Sequence, residues 1–191
     1  MFKQYYIPIY ISLATKILIL IFIPLLLSYF KPEYKMINIW ETWNVWDARH
    51  YVAIATTNYH WASNDEAVLI GFLPLLPLTM YVFKSLFQTS VLVAGYMVST
   101  ISTILLSIIL YKLVLLDYSK KVGILTVFML FIFPTSFFLH IPYTESLFML
   151  LTVSAFYFAR KRYYWISFLC IALGTFTKIV GLALLPAILV E

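Results

Sequence analysis

Trp46–Tyr51 reads WDARHY, an acid, an arginine and a histidine within four positions of a chain that is otherwise mostly apolar. A carboxylate such as Asp47 can take a proton from an attacking hydroxyl. Cations such as Arg49 and His50 can stabilise charge on a departing anion. Two further ionisable groups sit where an apolar chain would not place them by default. Glu145 lies in FPTSFFLHIPYTESLF, residues 133–148, and Lys178 lies in GTFTKIVGLALLP, residues 174–186. Together these groups suit transfer of a group from a phosphate-bearing lipid, and they would equally suit a carrier for an anionic lipid.

Local spacing says how they could be presented. Asn44 can cap a helix beginning at Val45, with Asp47 near the positive end of that helix. In such a helix Asp47, His50, Tyr51 and Ile54 share one face. Arg49 falls off that face, on a side chain long enough to swing. Trp46, Tyr51, Tyr59 and Trp61 suit a helix lying at the headgroup level. A plain reading stands beside the catalytic one: a surface loop with an aromatic belt and a cap-stabilising aspartate. Glu145 follows Tyr143 and Thr144 at the start of a span, where a carboxylate can also simply favour the helix N-terminus. His140 reads as a hydrogen-bonded structural histidine. Lys178 falls near the middle of an apolar run, where insertion costs about 2.5–3.5 kcal/mol. It needs an anionic partner, either Glu145 or a ligand phosphate.

The elements that must hold these residues are membrane helices. The 191 residues are 63% hydrophobic and 11% charged, with a mean hydropathy of +0.95. A soluble domain has about 25% charged residues. The net charge of +5 does not indicate nucleic-acid binding, because the cations are scattered or end apolar runs. Apolar runs of span length or slightly less cover 7–30, 68–87, 91–116, 122–140, 143–159 and 165–190, with Lys16 inside the first and Pro24 a potential kink in it. The expected fold is all-α and polytopic, with about five to six membrane helices in one transmembrane domain over 1–191. Residues 31–67 form an external loop carrying an interfacial helix.

Arg160, Lys161 and Arg162 mark a cytoplasmic loop, and Lys112, Lys120 and Lys121 a second. Lys3 then puts the N-terminus inside and 31–66 outside. Gln88 also comes out external, so 68–87 cannot cross once; its prolines Pro74 and Pro77 favour a re-entrant or interfacial path. The single cysteine, Cys170, cannot form an intramolecular disulfide. Ser136, Ser146 and Ser154 lie in no G-x-S-x-G context, which argues against a serine protease.

WDARHY, GFLPLLP at 71–77, FPTSFFLHIPYTESLF and GTFTKIVGLALLP occur in an order that resembles the PIG-V-type mannosyltransferases and their bacterial relatives, polytopic GT-C glycosyltransferases. The resemblance covers nearly all of this chain and about the front half of a usual member, so it implies the N-terminal part of a longer protein. It implies a GT-C-like bundle and inverting, metal-independent transfer of one sugar, mannose, on the external face. The donor would be a polyprenyl- or dolichyl-phosphate sugar, with no further cofactor. The acceptor would be a hydroxyl of a glycan, lipid or protein. Asp47 matches the first-loop acid, the general base. Tyr143, Thr144 and Glu145 match a block that lines the site. Arg49 and His50 fall where the family varies and join the substrate-binding candidates. Lys178 stands where relatives more often carry arginine, keeping the charge but losing bidentate phosphate geometry. The Ile, Lys, Tyr and Phe content fits an AT-rich genome, hence a bacterial or archaeal plasma membrane rather than endoplasmic reticulum. The rivals are a lipid-linked sugar carrier or flippase, which needs no base, and a non-catalytic membrane subunit.

Overall fold

A computed structural model of the chain describes residues 5–30, 40–59 and 69–190. The remaining parts of the first loop, with Glu33, His60, Trp61, Asp65 and Glu66, lie outside the described residues, as does Lys3. Among the described residues every regular element is helical. The helices are α1 (Tyr6–Phe30), α2 (Asp47–Thr57), α3 (Leu75–Phe87), α4 (Val91–Val114), α5 (Lys120–Ile132), α6 (Thr144–Arg160), α7 (Tyr164–Thr175) and α8 (Leu184–Val190). α1 and α4 are long and apolar enough to cross a bilayer; α3 and α7 are shorter apolar helices.

The prolines explain the irregularities. Pro24 cannot donate to Leu20, and its ring crowds that carbonyl. α1 absorbs this with a π-helical turn over Leu18–Phe22 just before it. Pro134 opens a 3-10 segment, Pro134–Leu139, after α5. Ser90 and Ser119 cap α4 and α5, their hydroxyls accepting from the N–H groups of Val93 and Val122.

α4 is the centre of the bundle, packed on α1, α3, α5 and α6. Its buried positions include Ala94, Gly95, Ser99, Ser102, Thr103 and Ser107, the small residues that let membrane helices approach closely. At Gly95 an added Cβ would come within 2.8 Å of Pro142. Lys16 reaches in from α1 and donates to Ser99 Oγ and to the His140 carbonyl, both at 3.0 Å. This side chain therefore ties α1 to α4 and to the break before α6.

The expected last span over 165–190 is not one helix. α7 ends at Thr175, Lys178 is extended (φ −146°, ψ 129°), and a 3-10 segment, Ile179–Ala183, leads into α8. The break is compact: a Cβ on Gly181 would meet the backbone of Thr175 and Gly174 at 2.6–2.8 Å. Lys178 thus sits at an unwound point, not mid-helix, and irregular backbone at membrane depth is tolerated only where protein or a wet cavity surrounds it.

α6 is a rod of about 25 Å at 1.5 Å per residue. At its far end Arg160 makes a bidentate pair with Asp117, at 2.7 and 2.9 Å. The guanidinium holds the Asp117 carboxyl below the usual carboxylate range. The two cation-rich loops are thereby joined at one end of the bundle, and Tyr143–Glu145 lie at the other. α3 packs along α4 and against α2. Phe72, just before it, packs on His50 and Tyr51, and Gln88 ends it two residues before the Ser90 cap.

Candidate active site

The site is built where the WDARHY turn meets the start of α6. The expected helix start at Val45 is corrected: α2 begins at Asp47, and Asn44 does not cap it. The Asn44 amide instead donates to Glu41 Oε2 at 2.9 Å. Between them lies a tight turn, closed by the Ala48 N–H to Val45 carbonyl bond of 3.1 Å. Trp46 has φ 46° and ψ −125° there, a conformation that normally takes glycine. For a tryptophan this backbone costs about 1–3 kcal/mol and persists only when its surroundings hold it.

Tyr143 does the holding. Its hydroxyl accepts from the Asp47 N–H at 3.1 Å and donates to the Val45 carbonyl at 3.2 Å. Tyr143 is buried and is the residue from which α6 starts. The same turn of chain carries Thr144, which hydrogen-bonds the Tyr51 phenol, and Glu145. Lys178 donates to Glu145 Oε1 at 2.7 Å, both groups about one-third exposed. The expected carboxylate partner for Lys178 is therefore present, and it is Glu145.

The electrostatics tie these parts together. Burial pushes the Tyr51 phenol up to about 12, and the Asp47 and Glu145 charges push it the same way. Burial also raises Tyr143, again with contributions from Asp47 and Glu145. Both phenols are thus neutral hydrogen-bonding groups at ordinary pH, and each feels both acids. Asp47 itself is exposed, open to an incoming hydroxyl.

Arg49 and His50 are placed otherwise. Arg49 Nε donates to the Asn44 carbonyl at 2.9 Å, and the His50 ring packs 4.8 Å from Phe72. Among the described residues no hydrogen bond or ion pair joins either to Tyr143, Glu145 or Lys178. His140 is fully buried, its carbonyl accepting from Lys16. Its two ring nitrogens have no hydrogen-bond partner, so the expected hydrogen-bonded histidine is bonded through its backbone only.

Buried polar atoms without partners gather here. They are Trp43 Nε1, Asn44 Oδ1, the two His140 nitrogens, Glu145 Oε2 and Ser146 Oγ, with Thr152 Oγ1 the one other among the described residues. Such atoms usually cost about 1–3 kcal/mol each. A groove of about 400 Å³ is lined by Met129, Leu130, Phe133, Phe138 and Met149, with Thr135, Ser136 and Glu145 among them. It is a mainly apolar groove with the carboxylate partner of Lys178 in its wall.

Sequence reasoning missed Tyr51 as a site group, the aromatic wall of Phe137 and Phe138, and the reach of Lys16. Tyr51 had a readable signal, since it shares the Asp47 face. Lys16 had one too, a charge inside an apolar run.

The model of the family described as Mannosyltransferase (PIG-V) matches residues 12–190. No curated protein and no solved structure matches the chain. The family match spans the WDARHY turn, the Tyr143–Glu145 helix start and the Lys178 break. This chain belongs to the PIG-V mannosyltransferase family, and is a membrane-associated glycosyltransferase whose described residues form only helices.

Proposed function

We propose that the protein moves one mannose from a polyprenyl-phosphate donor to an acceptor hydroxyl on the external face of a multi-pass plasma-membrane bundle. The observation that supports this best is the convergence of Asp47 and the Glu145–Lys178 pair on Tyr51 and Tyr143, beside a mainly apolar groove that Glu145 helps to line. The groove takes part of the donor's isoprenoid chain and leads its phosphate to Lys178. The phosphate displaces the Glu145 carboxylate from the ammonium, one anion for another. The Asp47 carboxylate takes the proton of the acceptor hydroxyl. The acceptor oxygen bonds to the anomeric carbon as the bond from that carbon to the phosphate oxygen breaks. The electron pair leaves on the phosphate, where Lys178 stabilises it. The acceptor is a hydroxyl of a glycan, lipid or protein. The face follows from the cation-rich loops at the opposite end of the bundle.

The test uses the full-length protein in lipid nanodiscs, with polyprenyl-phosphate mannose as donor and extracts of the source cell's membranes as acceptor. Asp47→Asn should lower transfer by at least about 10²-fold while donor binding persists. Retained transfer removes Asp47 as the base. Lys178→Ala should weaken donor binding more than Lys178→Arg, because arginine keeps the charge; equal effects argue against the phosphate contact. A carrier would still move the unaltered lipid with Asp47→Asn.

A further inference from the structure

Trp46 is a large side chain on a backbone that suits glycine. A chain needing only the turn would be served by glycine there, and an indole needed only as an interfacial anchor works on unstrained backbone. Trp46 has both the strained backbone and a 63% exposed indole. The indole lies 6.5 Å from each of the Phe137 and Phe138 rings. Trp43 stacks on Phe137 at 5.9 Å. The next residue along the chain is Asp47, whose N–H is held by Tyr143. The Tyr143 clamp and the phenylalanine wall therefore hold an open aromatic face next to the carboxylate.

Phe138 has a second neighbour. It also walls the apolar groove that reaches Glu145. Phe138 thus borders both the groove offered to a lipid chain and Trp46, which does not itself line that groove and lies beside the acid. The ligand part that fits an exposed indole next to a carboxylate is one with an apolar C–H face and hydroxyls at its edge. A hexose ring has that form.

Resting on the transferase reading above, we propose that Trp46 is the platform on which the transferred sugar ring stacks, orienting its anomeric carbon beside Asp47. The strained turn then serves to present the ring rather than to anchor the loop in the bilayer. Loss of the platform lowers affinity for the sugar and misorients it for attack.

The experiment measures binding of two probes, polyprenyl-phosphate mannose and bare polyprenyl phosphate, to the full-length protein in nanodiscs. Wild type should prefer the sugar-bearing lipid. Trp46→Gly relaxes the backbone, so its melting temperature should match or exceed wild type. It should lose about tenfold in affinity for the sugar-bearing lipid, the scale of one aromatic contact, with bare-lipid binding unchanged. Trp46→Phe should keep most of the affinity, and Trp46→Leu, apolar but not aromatic, should behave like Trp46→Gly. Equal loss for both probes makes the indole a lipid contact and overturns the proposal. Wild-type affinity in Trp46→Leu overturns it as well. If wild type itself shows no preference for the sugar-bearing lipid, the transferase reading fails first and this proposal with it.

Discussion

A single phenol, that of Tyr143, organises the candidate site. Burial raises it, so it stays protonated at neutral pH and cannot act as the base. Its use is geometric: one hydroxyl accepts from Asp47 and donates to Val45. Tyr143→Phe keeps the ring packing on Phe138 and removes both hydrogen bonds. The expected result is a fall in kcat of about tenfold or more with little change in donor KM, because a loosened Asp47 costs orientation and not binding. Melting temperature should drop only slightly. A change in KM alone would make Tyr143 a binding contact instead. Asp47, Tyr143 and Glu145 could be picked out from the chain because acids and their neighbours stand out in an apolar background. The clamp could not be. It joins two residues almost a hundred positions apart, and nothing in the local pattern of WDARHY indicates that Trp46 takes a left-handed backbone.

Helices and their breaks set where these groups meet. The apolar runs placed α1, α4 and α6 closely, since length and hydropathy decide them. They could not show that the last run breaks at Lys178. Its residues are apolar on both sides, and the break depends on Gly181 lying against the backbone of Gly174 and Thr175. Nor could they show Asn44 turning to Glu41 rather than capping, which follows from the tight turn at Trp46. Gly95 is the other close approach. A methyl there meets Pro142, a rigid ring one residue before Tyr143. Gly95→Ala should therefore destabilise the bundle by about 1–3 kcal/mol and lower transfer more than the remaining folded fraction explains. Thermal unfolding followed alongside turnover checks this. Full activity per folded molecule would show that α4 yields instead of the Pro142 segment.

At the scale of the molecule, one ion pair marks the end opposite the candidate site. Arg160 and Asp117 fasten the two cationic loops together, and the candidate site lies at the other end of α6. Positive-inside sorting would then put the site outside, the face proposed above. α3, at 13 residues, is about 20 Å long, short of a hydrocarbon core of about 30 Å. The re-entrant path expected of it is tested by the side from which Gln88 can be reached. Gln88→Cys in a Cys170→Ser background should react with an impermeant thiol reagent from the outside of intact cells, and Lys121→Cys only after the inner face is opened. Labelling of Gln88→Cys from the cytoplasmic side alone would mean that α3 crosses. The parity conflict in the charge pattern was legible in the chain; the packing of Phe72, just before α3, against Tyr51 was not, because it joins two separate segments.

The Tyr143 clamp also has a consequence in time. Translation and membrane insertion run from the N-terminus, so Val45 and Asp47 leave the ribosome long before the residue that grips them. Until residue 143 has been made and α6 has seated, Trp46 is free to leave its strained turn and Asp47 has no fixed bearing. A nascent or truncated chain ending before that point carries the whole WDARHY motif without the geometry that the proposed chemistry needs. Competence of the turn is thus acquired late, and in one step, with the insertion of a single helix start.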